Sequence, residues 1–152
     1  RPLIGGDILL METFLYAAIF VPEDVTKPPR EIILQPELAI YVRGFGKCIG
    51  DHGVVAEINS EIVGMAWTRI MADYGHIDDA TPSLAIAVLP EYRGRGIGTA
   101  LLEQLLEQLR AAGYAAVSLS AQQENPALHL YERLGFEPVR ETDGEVVMRC
   151  AL

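Results

Sequence analysis

The sequence lacks the features that mark several large classes of protein. Its only two cysteines, Cys48 and Cys150, lie far apart, so neither a zinc knuckle nor a dithiol redox motif is indicated. No apolar run reaches the roughly 18 residues of a membrane-spanning helix. The longest one, from Ile8 to Val21, is interrupted by Glu12 and Thr13. We therefore expect reduced thiols, no metal site, no membrane segment, no secretory leader and a cytoplasmic location.

Positive charge is also scarce. Lysine and arginine together number 12 against 21 aspartates and glutamates, which gives a formal net charge of −9. A general nucleic-acid-binding protein carries a basic stripe, so we expect no nucleic-acid partner. The acidic balance is compatible with a cationic ligand such as an amine, although net acidity also serves solubility.

The composition is that of a globular protein, because half of the 152 residues are hydrophobic and 22% are charged. Apolar periodicity and turn residues predict a mixed order of elements, so we expect a single domain, residues 1–152, of α/β or α+β class. The predicted helices are one that begins after Asp7, a segment over 30–42 broken at Pro36, one from Ile97 closed by Gly113, and one over 126–134. The predicted strands are 52–58, 61–71, 83–88, 115–120, 137–140 and 145–150.

The most informative stretch runs from Val88 to Thr99 and reads VLPEYRGRGIGT. A buried strand enters a turn with three glycines, and the turn opens a helix. Glycine lets the backbone approach a ligand, and the first N–H groups of a helix have no partner within it. Such a turn binds anions and suits a pyrophosphate, to which Arg93 and Arg95 can add charge-assisted hydrogen bonds.

Two common nucleotide motifs do not fit this turn. The Walker pattern ends in Gly-Lys-Ser/Thr, and no such ending is present. The dinucleotide fingerprint requires a glycine where Thr99 stands, and the strand after the helix lacks the acidic residue that holds a ribose.

The segment Arg93-Gly94-Arg95-Gly96-Ile97-Gly98 resembles the Q/R-x-x-G-x-G/A signature of the GNAT acetyltransferases. Some thirty residues later, the segment 130–136, LYERLGF, resembles the family's second motif at the expected spacing. The resemblance covers about Ser83 to Val139. It implies an acetyl-CoA-dependent N-acetyltransferase with a mixed, mostly antiparallel sheet that is flanked by helices and splayed at the cofactor site. Residues 83–139 would form the acetyl-CoA-binding core, and residues 1–82 the acceptor-side half.

The resemblance also implies roles for individual residues. Backbone groups of Ile86, Ala87 and Val88 would pair with the pantetheine arm, and Tyr131 would be the general acid that protonates the departing thiolate. The full set of expected cofactor-binding residues is Ile86, Ala87, Val88, Arg93, Gly94, Arg95, Gly96, Ile97, Gly98, Thr99 and Asn125. Many family members place an asparagine seven residues before the tyrosine. Here Glu124 holds that position, and Asn125 either reaches the cofactor or caps the following helix.

The general base and the acceptor stay open at this stage. The predicted strand 83–88 contains no carboxylate, and the nearest candidates in chain order are Glu57, Asp78, Asp79, His76 and His52. Acceptor recognition in such folds involves the first helices and the hairpin, which here means Phe14–Lys27, Tyr41–Phe45, Met65, Trp67 and Met71. Trp67, which we expect to share a strand face with Val63, Met65 and Met71, fits either the sheet core or a wall of the acceptor pocket.

The function implied by the resemblance is transfer of an acetyl group to a primary amine by direct attack on the thioester. The amine belongs either to a small molecule or to a peptide or protein. The absent carboxylate and the shifted asparagine keep a second interpretation open, a non-catalytic sensor that binds acyl-CoA. An acyl group longer than acetyl and a homodimer are both compatible with the sequence.

Overall fold

The computed structural model describes residues 1–152 and contains one mixed sheet of six strands. In spatial order the sheet reads β1-β2-β3-β4-β6-β5, and every neighbouring pair is antiparallel except β3 and β4. The expected mixed, mostly antiparallel sheet flanked by helices is confirmed. The strands are β1 (His52–Ile58), β2 (Glu61–Arg69), β3 (Ser83–Val88), β4 (Ala116–Gln122), β5 (Glu137–Thr142) and β6 (Glu145–Ala151).

Four α-helices and three 3₁₀ segments complete the fold. The helices are α1 (Met11–Ala18), α2 (Pro36–Ala39), α3 (Ile97–Ala111) and α4 (Leu128–Arg133), and the 3₁₀ segments are Gly5–Leu10, Arg30–Leu34 and Pro90–Tyr92. The helix expected directly after Asp7 thus begins as a 3₁₀ segment. Asp7 is not its N-cap: from inside the first turn its carboxylate accepts the N–H of Ile4 at 2.9 Å. The expected break at Pro36 is confirmed, but the helical segment that follows is only four residues long.

Two tight turns close the hairpins, one between the predicted strands 52–58 and 61–71 and one between 137–140 and 145–150. Asn59 and Ser60 join β1 to β2 with φ values of 52° and 68°, and Asp143 and Gly144 join β5 to β6 with 48° and 80°. Positive φ at both central residues matches the right-handed twist of paired strands. Both hairpins therefore follow from short local signals.

The two faces of the sheet carry separate apolar clusters. Helix α3 presents Leu101, Leu105 and Leu109 to one face, together with α4, and we call this the α3 face. Helix α1 packs on the other, the α1 face, with Met65 and Trp67 of β2 beneath it. The sheet is therefore a middle layer whose alternate residues belong to different clusters, as the pleat requires.

Trp67 belongs to the sheet core. Its side chain is fully buried in the cluster of the α1 face, and its indole N–H donates to the carbonyl oxygen of Tyr41 at 3.0 Å. Met71 lies beyond the end of β2 at Arg69, so the expectation that it shares a strand face with Trp67 is wrong. Of the two interpretations of Trp67, the structure supports a place in the sheet core.

A buried ion pair ties the loop between α2 and β1 to the sheet. The guanidinium of Arg69 donates from Nε and Nη2 to the two carboxylate oxygens of Asp51, at 3.0 and 3.2 Å. The same guanidinium donates from Nη1 to the carbonyls of Ile40 and Arg43, and Asp51 also accepts the N–H of Gly46 at 2.9 Å. The two side chains are only 9% and 1% exposed, so both charges depend on each other.

Candidate functional site

The sheet opens between β3 and β4. These two strands are paired through a single position, Ser83 with Ser118, where the N–H of Ser118 donates to the carbonyl of Pro82 at 2.9 Å. On their outer sides β3 pairs with β2 and β4 pairs with β6 along their whole lengths. The expected splay is therefore present, and it leaves one edge of β3 without a partner strand.

The register of β3 decides which backbone groups face this gap. Leu89 donates its N–H to Val63 at 2.9 Å, one step beyond the paired residues Val88 and Gly64. The hydrogen-bonding direction of the backbone alternates along a strand. The N–H and C=O groups of Ala87 therefore point to β2, whereas those of Ile86 and Val88 point into the gap. The carbonyl of Val88 accepts the Nε–H of Arg93 at 2.9 Å.

The glycine-rich turn exposes a run of free donors. Gly94 and Gly96 adopt positive φ values of 77° and 80°, and a Cβ added at either would meet nothing within 4 Å. The first helical bond of α3 runs from the N–H of Ala100 to Gly96, and the N–H groups of residues 94–99 have no partner in the protein. Consecutive unpaired amides at a helix start form a concave anion site. The turn therefore fits a pyrophosphate.

Two arginines border the same turn. Arg93 is exposed to solvent and donates to the carbonyls of Val88 and Ala17 at 2.9 and 3.5 Å. Arg95 lies with its guanidinium 5.1 Å from the ring centroid of Tyr92. Gly64 on β2 lets the first turn of α3 approach the sheet, since a Cβ there would lie 2.9 Å from Leu101. The turn, its cations and the open edge of β3 thus lie next to each other.

A cavity of about 200 Å³ occupies the gap and reaches both faces of the sheet. It has 17 lining residues, of which 13 are hydrophobic. Leu119, Ala121 and Tyr131 line it from the cluster of the α3 face, whereas Leu15 and Tyr41 line it from the α1 face. Two ligands can therefore meet in this cavity, one from each face of the sheet.

Tyr131 lies in this cavity at the start of the second motif. Its side chain is 7% exposed, its ring centroid lies 5.9 Å from that of Phe136, and its hydroxyl makes no hydrogen bond in the structure. Burial raises the pKa of Tyr131 to about 12. The phenol is therefore neutral at physiological pH and holds a proton that it can donate.

Asn125 fills one of the two roles that the sequence left open, that of a cap. Its side-chain oxygen accepts the N–H of Ala127 at 2.9 Å and so caps the turn that leads into α4, while the residue also lines the cavity. Glu124, at the position where the family places asparagine, is exposed to solvent. Helix α4 begins at Leu128, two residues later than expected, because Asn125–Ala127 form this capped turn.

The five candidate bases lie elsewhere. None of them lines the cavity. Glu57 pairs with Arg1 at 3.4 Å, and Asp78 accepts hydrogen bonds from Ala80 and Thr81 at 2.8 Å. His76 contacts the carbonyl of Met71 and lies 3.5 Å from Asp79. His52 packs edge-on against Tyr114, and burial lowers its pKa.

Sequence reasoning missed one charged residue of the cavity, Glu145 at the start of β6. Its neighbours Val146 and Met148 belong to the cluster of the α3 face, so strand alternation could have placed Val146 and Glu145 on opposite faces. Nothing in the sequence shows that this face of β6 borders the gap.

No group of three or more His, Cys, Asp or Glu side chains is arranged to hold a metal ion. No helix is both long and apolar enough to cross a membrane.

Comparison with known proteins agrees with this geometry. Residues 18–136 match the model of the acetyltransferase (GNAT) family. The chain superimposes on the PaiA N-acetyltransferase of Thermoplasma acidophilum, solved with coenzyme A, with a TM-score of 0.72 at 17% identity over 100% of this chain and 97% of that one. Ribosomal-protein-alanine N-acetyltransferases of Brucella melitensis and Escherichia coli give TM-scores of 0.66 and 0.67 at 22% and 21% identity. They cover 100% and 99% of this chain, and 98% and 91% of their own.

Proposed function

Because this chain belongs to the acetyltransferase (GNAT) family and is an N-acetyltransferase with acetyl-CoA as its co-substrate, we propose that it acetylates a primary amine that enters the cavity from the α1 face. The observation that supports this best is the cavity itself. It joins the open edge of β3 to Tyr131 on one face of the sheet and to the first helix on the other.

The donor side of the proposal rests on unpaired backbone groups. The free N–H groups of residues 94–99 bind the pyrophosphate, and Arg93 and Arg95 add positive charge beside it. Ile86 and Val88 offer backbone groups to the amide-containing pantetheine arm. The backbone groups of Ala87 face β2, so they are not available to the arm, and its small side chain belongs to the cluster of the α1 face.

The chemistry needs one proton to be supplied to the sulfur and protons to be removed from the nitrogen. Acetyl-CoA provides an acetyl group as a thioester, whose carbon–sulfur bond breaks as the amine nitrogen forms its bond to carbon. Tyr131 donates the proton of its Oη to the departing thiolate and regains one from solvent. The nitrogen attacks as a free amine, so an ammonium first releases one proton to water, and the nitrogen releases a second to water as its bond to carbon forms. Ser83–Val88 carries no carboxylate that could accept either proton.

The acceptor amine belongs to a small molecule or to a peptide. The neighbours from Brucella melitensis and Escherichia coli carry names that specify a ribosomal-protein alanine, but identities near 20% support a shared fold and not a shared acceptor. Both kinds of amine therefore belong in the first screen, which measures thiol release from acetyl-CoA in the presence of each.

Substituting Gly96→Asp should weaken acetyl-CoA binding by roughly 100-fold, measured by isothermal titration calorimetry. The new carboxylate would stand among the free amides where the pyrophosphate binds, and repulsion between like charges opposes that binding. Gly113→Asp is the matched control. It has a similar φ of 90°, an equally open Cβ position and the same added charge, but it lies at the far end of α3.

Equal affinities for these two variants would contradict the pyrophosphate site. If the unsubstituted protein failed to bind acetyl-CoA at millimolar concentration while folded, the whole proposed function would fall.

A further inference from the structure

We infer that Glu145 binds the ammonium group of the acceptor, and that the acceptor is an amine with no free carboxylate beside its nitrogen. This rests on the proposed function and narrows it to a substrate class: alkylamines and amino-acid amides, as opposed to free amino acids.

The position of Glu145 follows from the pleat of β6. Val146 and Met148 point into the cluster of the α3 face, so Glu145 lies on the α1 face, the side from which the acceptor enters. Glu145 pairs across the sheet with Gln122 of β4, and both residues line the cavity. The carboxylate is thus fixed to two paired strands at the wall of the gap.

Charge in the cavity is of one sign only. Glu145 is the single charged residue among those that line it, and its carboxylate forms neither an ion pair nor a hydrogen bond in the structure. The side chain of Gln122 is directed elsewhere, since its amide donates to the carbonyl of Phe20 at 3.4 Å. Arg140, on the neighbouring strand β5, donates to the carbonyls of Tyr74 and His76 and does not line the cavity.

A second carboxylate, that of Asp73, lies near the cavity, but both of its oxygens already accept hydrogen bonds from the protein. Asp73 accepts the hydroxyl of Tyr41 at 2.7 Å with one oxygen and the hydroxyl of Ser83 at 2.8 Å with the other. Burial, followed by the charges of Asp73 and Glu145, raises the pKa of Tyr41. Both carboxylates therefore lie near Tyr41, and Glu145 is the one that is free to take a ligand.

A second polar group in the same cavity is available to a ligand. Tyr131 is more than nine-tenths buried, and its hydroxyl has no partner within the protein. The hydroxyl oxygen itself is accessible from the cavity, so water or a ligand there can hydrogen-bond to it. The lining between these two groups is mostly apolar, so the ligand has polar atoms at its ends and apolar surface between them.

This arrangement discriminates between classes of amine. An ammonium beside Glu145 regains the charge interaction that it loses on leaving water, and apolar walls accommodate its carbon chain. A carboxylate on the adjacent carbon would enter the same cavity with no lysine, arginine or histidine to meet it. It would also lie close to the negative charge of Glu145. Free α-amino acids are therefore rejected, whereas their amides are accepted.

The test compares matched acceptors and matched variants by thiol release from acetyl-CoA. The acceptors are a series of alkylamines and amino-acid amides, each amide beside its free amino acid. We expect at least a 10-fold preference in kcat/KM for each amide over its acid. Glu145→Gln should raise the KM for amines by roughly 10- to 100-fold with a smaller change in kcat, as loss of a charged hydrogen bond predicts. Glu141→Gln, which removes an exposed carboxylate on β5, should leave both constants unchanged.

Each failure has its own signature. An unchanged amine KM in Glu145→Gln, or equal turnover of amides and free acids, overturns this inference while acetyl transfer itself stands. Calorimetric binding of acetyl-CoA without acetylation of any amine or amide in the series also overturns it and leaves the cofactor site intact. Absence of acetyl-CoA binding overturns the proposed function instead.

Discussion

Replacing Tyr131 with phenylalanine should lower kcat by about 10²- to 10⁴-fold, the usual contribution of a positioned general acid. The phenol is buried and neutral, with a pKa raised to about 12, and its hydroxyl makes no other bond that the substitution would break. Phenylalanine keeps the ring against Phe136, so the fold and the affinity for acetyl-CoA should change little. Steady-state thiol release, calorimetry and thermal unfolding measure the three quantities.

The alkaline side of the pH profile gives a second reading of the same residue. A group with a pKa near 12 stays protonated through pH 10, so the rate should not fall between pH 7 and 10 through loss of this proton. Tyr114→Phe serves as the control, because Tyr114 packs against His52 away from the cavity. Full turnover by Tyr131→Phe would show that the thiolate takes its proton from elsewhere.

Substituting Arg69→Met should lower the free energy of unfolding by about 3–5 kcal/mol, because it leaves the carboxylate of Asp51 buried without its partner. The loop between α2 and β1 also loses the guanidinium that holds the carbonyls of Ile40 and Arg43. Urea unfolding followed by circular dichroism measures the change. This effect exceeds what most single substitutions produce.

A surface ion pair provides the comparison. Arg110 lies 3.4 Å from Glu107 on α3, and the two side chains are 45% and 77% exposed. Arg110→Met should change stability by less than about 1 kcal/mol, as is typical of exposed pairs. The double substitution Arg69→Met with Asp51→Leu should be more stable than Arg69→Met alone, because no buried charge then remains unpaired. Similar losses in the free energy of unfolding for Arg69→Met and Arg110→Met would show that the buried pair contributes no more to stability than the surface pair.

Much of the fold could be predicted because its signals are local. The strand Ser83–Val88 has the predicted bounds, and the leucines of α3 lie at helical spacing and are buried as a stripe. Both hairpin turns were marked by residues that tolerate positive φ. The glycine-rich turn belongs to the same class, since its free amides follow from a short run of glycines at a helix start.

Other features depend on contacts between distant parts of the chain. Glu145 meets the cavity only because β6 lies beside β4, while the opposite wall comes from α1, more than a hundred residues earlier. The same holds for Asp73, whose partners are Tyr41 and Ser83. The 3₁₀ segment Gly5–Leu10 was missed for another reason: its glycines weaken an α-helix that the apolar spacing favours.

The single pair of serines between β3 and β4 has a mechanical consequence. The sheet consists of two three-stranded parts, β1-β2-β3 and β4-β6-β5, and strand pairing joins them only at Ser83 and Ser118. A molecule that hydrogen-bonds along the open edge of β3 and packs against β4 connects the two parts of the sheet and restricts their relative motion. Binding of acetyl-CoA and rigidification of the sheet then occur together. Slower amide hydrogen exchange at Ile86 and Val88 would report both.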